Sequence, residues 1–336
     1  MVRVAVVGAG YWGPNFIRVI EELGDSELVA VCDKDPAKLE KVTDQHPLVN
    51  VTDDFDALIE RDDLDAVIIA TGSEAHYSVA KTCLMKDKHV LVEKPISLKS
   101  TEAEDLVRIA RDRGRVLLVG HLLRYHSGVI KLKEYIDNKA LGDVLYVYTT
   151  RVNLGRVRKE ENAMWSFATH DIYVVMYLLG ADPVSVTASG QSYVRKGVHD
   201  VVFLTLHFPG DVMAHLHVSW LDPHKIRKTT VVGDKKMAVL DDTAATEKLR
   251  IYDKGIDYTP SYGDYGESLS VRIGDISIPK LDMKEPLKVE CQHFLDCIIK
   301  GDEPLTGGEQ GRKVIQILEA ADQSLREQSR AIPIGG

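Results

Sequence analysis

The stretch VAVVGAGYWG carries Gly8, Gly10 and Gly13 directly after an apolar run, and Pro14 follows the last of them. A strand that enters such a loop and leaves as a helix can cradle a pyrophosphate. The first glycine permits the tight turn, the second admits backbone close to the anion, and the third lets helix and strand pack. Proline suits the first helical turn because it has no N–H to leave unpaired. Asp33 lies 20 residues beyond Gly13, at the end of the next apolar run. A carboxylate there accepts hydrogen bonds from ribose hydroxyls and repels a 2′-phosphate, which favours NAD over NADP, although Lys34 softens that preference. The plain alternative is a glycine turn with an incidental acid.

Two further residues could act on a substrate. Lys94 closes the run HVLVEKP, at the carboxyl edge of a predicted strand, where open α/β sheets bind ligands. It could reach both a nicotinamide and a substrate hydroxyl, or it could be a surface lysine ahead of a proline. His170, in WSFATHDI, has a side chain that titrates near neutrality and suits a general base. A histidine on an apolar helix can equally be a satisfied core residue. Before it, RVNLGRVRKEEN supplies Arg151, Asn153, Arg156, Arg158 and Asn162. Guanidinium forks suit a diphosphate or a carboxylate, against the plain reading of a solvated basic loop. His215 and His217 share one strand face without an arranged third ligand, so no metal site is expected.

These residues need a scaffold. The first ~120 residues alternate strands (Val2–Val7, Leu28–Cys32, Val49–Val51, Ala66–Ala70, His89–Val92, Val116–Val119) with helices (Pro14–Leu23, Ala37–Asp44, Ala75–Lys86, Glu102–Arg113). Thr101 and Glu104 are spaced as a capping box, and Gly114 is placed to end that helix. After Gly120 the rhythm changes. A helix near Val129–Asn138, a strand at Val144–Val152 and a helix across Trp165–Leu179 lead into strand-like runs from Pro183 to Asp241. Residues 255–284 read as a long loop, and helices at Leu287–Ile299 and Gly308–Gln328 close the chain. The fold class expected is α/β: a Rossmann doubly wound parallel sheet over 1–121, then an α+β domain over 122–336 with a large, mostly antiparallel open sheet.

Composition agrees. The chain has 336 residues, enough for two cores, with 44% hydrophobic and 28% charged residues, as in soluble globular proteins. A formal net charge of −9 argues against nucleic-acid and anionic-membrane surfaces. No apolar run reaches spanning length and no leader is evident, and the scattered Cys32, Cys83, Cys291 and Cys297 read as reduced thiols, so a cytoplasmic location is expected.

Several stretches together resemble the glucose–fructose oxidoreductase / inositol dehydrogenase / MocA family of NAD(P)-dependent sugar dehydrogenases. They are VVGAGYWG, VCDKD, IIATGSEAHYSVA, HVLVEKPIS, WSFATHDIYVVMYLLG, TTVVGDKKMAVLDD and the long C-terminal run EPLKVECQHFLDCIIKGDEPLTGGEQGRKVIQILEAADQSL. Within the family, TRVNLGRVR with Asn162, Trp165 and HDI is most similar to the UDP-N-acetylglucosamine and UDP-N-acetylglucosaminuronate 3-dehydrogenases. The resemblance implies NAD as cofactor and oxidation of a secondary hydroxyl, at C3, of a nucleotide-activated sugar. It implies that Lys94 and His170 are catalytic. It further implies that Gly8, Gly10, Tyr11, Trp12, Gly13, Asp33, Thr71, His76, Glu93 and Lys94 serve the cofactor. Arg124, Tyr125, Arg151, Asn153, Arg158, Asn162, Trp165 and Asp171 would serve the substrate. Apolar alternation in the second domain, as in VVFLTLHF and MAHLHVSW, then marks a homodimer or homotetramer interface. Two departures stand out: the family often has an aspartate where this chain has Ser166, and a proline where it has Gly72. Without the aspartate, an imidazolium at His170 must be stabilised by Asp171 or by the substrate. A free sugar or inositol-like polyol as substrate, and a catalytically silent NAD-binding regulator, remain open alternatives.

Overall fold

A computed structural model describes residues 1–155, 161–260 and 267–335. The chain divides into two compact units, Met1–Tyr125 with Lys284–Gln316, and His126–Met283 with Ile317–Gly336.

In the first unit, strands β1 (Val2–Val7), β2 (Ser26–Cys32), β3 (Asn50–Thr52), β4 (Ala66–Ile69), β5 (His89–Glu93) and β6 (Leu117–Gly120) form one parallel sheet. Helices α1 (Gly13–Glu22), α2 (Pro36–Gln45), α3 (Phe55–Ile59), α4 (Ser73–Met85) and α5 (Ser100–Asp112) make the crossovers. The strand order β3-β2-β1-β4-β5-β6 is that of a doubly wound dinucleotide fold, whose order reverses between β1 and β4. The strands read as near-continuous apolar runs because both sheet faces are covered. Val4, Val6, Ile68 and Leu91 are solvent-free and pack with Phe16 and Ile20 of α1.

A short 3₁₀ turn, Leu122–Tyr125, ends the first stretch of this unit. The second unit follows with α6 (Ser127–Asp137), β7 (Val144–Val152), a π-helical turn at Met164–Ala168, α7 (Thr169–Leu179), β8 (Ser185–Gln191), β9 (Val201–His207), β10 (Met213–Ser219), β11 (Ile226–Gly233), β12 (Met237–Asp241), β13 (Leu249–Pro260) and β14 (Glu267–Ser277). The chain ends with α8 (Pro286–Lys300), α9 (Gly308–Arg326) and the two-residue strand β15 (Ile332–Pro333). Among the described residues the second sheet runs β14-β13-β12-β11-β7-β10-β9-β8-β15, antiparallel except between β7 and β10. One face is the core, carrying Val147, Leu204, Leu216 and Val231; on the other, Tyr146, Tyr148, Phe203 and Met213 are 40 to 42% exposed.

Three expectations are corrected. The second domain does not take the whole of 122–336, because α8 buries Leu287, Cys291, Phe294 and Leu295 in the same core as Val4 and Phe16 and so belongs to the first unit. Residues 255–284 are not mainly a loop. Much of the stretch lies in β13 and β14, which pair from Ile251↔Ser277 to Pro260↔Glu267, so local polarity hid a paired edge ribbon. Thr101 and Glu104 do not cap α5. The helix opens at Ser100, and the Lys99 carbonyl accepts from the N–H groups of Glu102 and Ala103 without a side-chain cap. Gly114 does end it, at φ 61°. All four cysteines are buried and unpaired.

Candidate functional site

The glycine loop in the first unit has the geometry its spacing predicts. Gly8 sits at φ 101°, and a Cβ there would lie 2.6 Å from the Ala70 carbonyl group just past β4, so the turn from β1 into α1 admits only glycine. A Cβ on Gly13 would lie 2.1 Å from the Gly8 oxygen, which is why α1 can start so close to β1. Nothing lies within 4 Å of a Cβ at Gly10, so that backbone is open to an incoming group. Trp12 is partly buried against the core, and Tyr11 is 86% exposed beside it, ring edge to face.

Asp33 is fixed at the end of β2. Its carboxylate accepts from the N–H groups of Ala9 at 2.7 Å and Asp35 at 2.9 Å, with Lys38 Nζ 3.3 Å from both oxygens. Burial alone would raise its pKa, but these donors outweigh burial and hold it below the ordinary aspartate range. An ionised acid beside an open glycine cradle fits the adenosine end of a dinucleotide: Gly8, Gly10 and Gly13 would hold the pyrophosphate and Asp33 the ribose.

At the carboxyl edge of β5 the structure gathers ionisable groups that the sequence left scattered. Glu93 is 8% exposed, and its carboxyl accepts from the Lys94 N–H at 3.1 Å. Burial pushes Glu93 up to about 7, against the opposing charge of Lys94. Glu290 of α8 is solvent-free, neither of its oxygens has a hydrogen-bond partner among the described residues, and burial with the Glu93 charge raises it well above the carboxylate range. His121, just past β6, is pushed down to about 3 by burial and by Lys94, so its ring is neutral. Glu290 and His121 are additions to the predicted set. The burial periodicity of α8, with Leu287 and Phe294 flanking an acid on one face, is the signal that could have found Glu290.

His76 is buried with both ring nitrogens at backbone carbonyls, Pro95 O at 2.6 Å from Nδ1 and Thr71 O at 3.2 Å from Nε2. Burial keeps it from charging, so one N–H donates, at the shorter contact. The imidazole thus braces the turn after β4 against the loop after Lys94, across the cis Lys94–Pro95 bond, while Thr71 stays partly exposed. Arg124 is partly buried in the 3₁₀ turn. Tyr125, expected on a pocket wall, is 4% exposed, because the turn packs it inside the first unit: its hydroxyl is 3.3 Å from Thr306 Oγ1 and its ring 5.8 Å from that of His293.

In the second unit, His170 lies in the first turn of α7, partly buried. Its neighbour Asp171 is committed elsewhere: both carboxylate oxygens accept from Arg151, at 2.7 and 2.9 Å, with side-chain exposures of 3% and 14%. Arg227 of β11, directly across from Arg151 of β7, was absent from the predicted set. It donates to Val152 O and Ile226 O, each at 2.8 Å, and to Asn153 Oδ1 at 2.5 Å, with the Phe167 ring 5.2 Å from its guanidinium carbon. Asn162 and Trp165 turn instead to Asp322 of α9. The indole N–H donates to it at 2.7 Å, and the Asn162 amide lies 3.5 Å away. Arg156 and Arg158 lie outside the described residues. On the exposed face His217 stacks on Phe203 at 4.4 Å, and His215 lies 3.2 Å from Thr205.

Comparison with known proteins agrees with the fold and with NAD as cofactor. The description of the GFO_IDH_MocA family, "Oxidoreductase family, NAD-binding Rossmann fold", matches residues 2–121, and the family's C-terminal domain matches residues 129–239. The chain belongs to the GFO/IDH/MocA family. Its first unit is therefore an NAD-binding Rossmann fold of an oxidoreductase family. It is 26% identical over 316 residues to UDP-N-acetylglucosamine 3-dehydrogenase of Acidithiobacillus ferrooxidans, covering 94% of both chains. It is 28% identical over 271 residues to 2,7-anhydro-N-acetylneuraminate hydratase of Escherichia coli K12, covering 75% of this chain and 70% of the relative. With some curated relatives the match spans only 60% of their length. Among solved structures, an aldose-aldose oxidoreductase from Caulobacter crescentus complexed with glycerol superposes with a TM-score of 0.84 at 21% identity, over 99% of each chain. Among the described residues, no helix is long and apolar enough to cross a membrane.

Proposed function

We propose that this GFO/IDH/MocA chain is an NAD-dependent dehydrogenase that oxidises a secondary hydroxyl, at C3, of a nucleotide-linked N-acetylated sugar or its uronate. The observation that carries this reading is the match to UDP-N-acetylglucosamine 3-dehydrogenase over 94% of both chains, through both units. The cationic, half-buried Arg151 and Arg227 supply a surface suited to such a substrate.

The nicotinamide supplies the hydride acceptor when bound. Lys94 is assigned to the reacting hydroxyl, where its ammonium stabilises charge developing on oxygen. His170 is assigned to take the hydroxyl proton on an imidazole nitrogen as the C–O bond becomes a carbonyl. Asp171, beside His170 in the chain, has both its oxygens accepting from Arg151. The exposed aromatic face of the second sheet supports a further part of the reading, a homodimer or homotetramer formed through Tyr146, Tyr148, Phe203 and Met213. A monomer in sedimentation would remove that part.

The test is NAD reduction measured across UDP-N-acetylglucosamine, its uronate, free N-acetylglucosamine and myo-inositol. Turnover of the UDP-sugars is expected. Turnover of the free polyol alone would replace this reading with the inositol-like one, and NAD binding with no turnover would leave a silent regulator. Lys94→Ala and His170→Ala should each lower kcat by about 10²–10⁴-fold while NADH still binds.

A further inference from the structure

Two guanidiniums stand side by side across β7 and β11, and among the described residues a carboxylate pairs with only one of them. Arg151 and Arg227 are register partners on the same sheet face, so their side chains leave side by side. Asp171 spends both oxygens on Arg151. Arg227, half-buried, forms no ion pair among the described residues: its acceptors are two backbone carbonyls and the Asn153 amide oxygen, all neutral. The neighbouring acid, Asp242, is engaged too. It accepts from His126 Nε2 at 3.1 Å and has Lys248 Nζ at 3.7 Å. His126 itself is held from its other side, Nδ1 accepting from the Gly128 N–H.

The cluster of Arg151, Arg227, Lys248, Asp171 and Asp242 thus holds one positive charge more than it balances. An arginine cannot discard its proton to relieve this. Burial and the Arg151 charge push Arg227 down to about 10, which leaves it cationic at neutral pH and marks the strain of the arrangement. The Phe167 face and Asn153 amide hold the planar group in place, and its Nε–H and one Nη2–H have no acceptor among the described residues. That is a fixed fork with donors to spare, the geometry that takes two oxygens of one oxyanion.

We infer that Arg227 is a specificity-determining residue that binds an anionic group of the substrate, a phosphate or carboxylate oxyanion, with Arg151 beside it. This rests on the nucleotide-sugar reading above and sharpens it, because an uncharged polyol would leave the surplus charge unanswered.

The experiment compares wild type, Arg227→Gln and Arg227→Lys, with NADH binding and thermal melting as checks of folding. Substrates are UDP-N-acetylglucosamine, which carries only the diphosphate, its uronate, which carries both groups, and free N-acetylglucosaminuronic acid, which carries only the carboxylate. Loss of the fork in Arg227→Gln should raise KM by about 10- to 100-fold with a much smaller change in kcat. Arg227→Lys, which keeps the charge without the fork, should recover part of that loss. A rise with UDP-N-acetylglucosamine assigns the diphosphate, and a rise confined to the two uronates assigns the carboxylate. If Arg227→Gln does not fold, the comparison of Arg227→Lys with wild type decides alone, because the lost fork should still raise KM. Unchanged KM for all three substrates in a folded variant would overturn the arginine assignment and leave the dehydrogenase reading standing. Wild type that oxidises only uncharged polyols would sink both.

Discussion

The two units each bury a surplus of like charge, and they resolve it in opposite ways. Beside Lys94, Glu93 and Glu290 put two carboxyl groups in one dry place, and the cost falls away because carboxyls can take up protons. Across β7 and β11, Arg151 and Arg227 put two guanidiniums together, and no proton can leave. The acid surplus is thus self-neutralising and answers to pH. The basic surplus is permanent and must be met by Asp171, by carbonyls and by whatever anion arrives. Burial of like charges has one sign of cost in both places; the chemistry of the groups decides whether the protein or its ligand absorbs it.

The sharpest way to break this contrast is to remove the carboxylate that Arg151 holds. Asp171→Ala leaves Arg151 in a nearly dry site with no counter-ion, and should destabilise folding by about 3–5 kcal/mol, measured by urea unfolding. Replacing both partners, Arg151→Met with Asp171→Leu, should cost much less, since apolar isosteres remove the buried charge altogether. Equal losses in the single and double variants would mean that the pair is held by packing and not by charge.

The acid pair is tested through pH. Glu93 titrates near 4.5 in the unfolded chain and at about 7 in the fold, so between those values the folded state holds more protons. The Glu93 contribution to stability is full below about pH 4.5, is lost as pH rises and is gone above about 7, a loss on the order of 3 kcal/mol. Glu290 adds a loss of the same sign, and the two titrate as a pair. Relative to wild type, the unfolding free energy of Glu93→Gln should gain with pH between about pH 5 and pH 8, because the variant lacks the Glu93 loss. The buried His121 and His89 add a rise of opposite sign below about pH 6.5, so the comparison with wild type decides: a Glu93→Gln profile parallel to that of wild type would show that the pair is ionised in the fold.

How much of this was legible in the sequence follows the same division. The glycine cradle and Asp33 depend on backbone geometry and short spacing, and both stood where the pattern put them. The sheet of the first unit was readable because strands buried on both faces are apolar throughout, and α8 was readable as a helix though not as a member of that unit. The β13–β14 ribbon was hidden because glycine, aspartate and serine in it look like loop chemistry when a strand's partner is unknown. Glu290 and Arg227 were hidden for a deeper reason. Each matters through a neighbour more than 70 residues away, Glu93 and Arg151; the apolar face of α8 marks Glu290 as buried, but no local pattern marks either meeting.

The two departures from the family pattern separate along the same line, and the smaller prediction concerns them. Ser166 is itself buried in the π-helical turn at Met164–Ala168, as are Met164 and Ala168, so what stands there is constrained by how that segment packs. Gly72 is different. Its backbone stands at φ −67° and ψ 149°, the conformation a proline would impose, and its N–H donates to no acceptor among the described residues. A Cβ there would meet only the Glu74 carboxylate end, at 2.8 Å, which a flexible side chain can move. The glycine therefore already holds a backbone that a proline can adopt, while leaving the unfolded chain freer. Gly72→Pro should stabilise the protein by about 0.4–1 kcal/mol, read as a higher urea midpoint at unchanged slope. A lower midpoint would mean that the turn after β4 needs more freedom than its dihedral angles show, and that this departure, like Ser166, is tied to its surroundings.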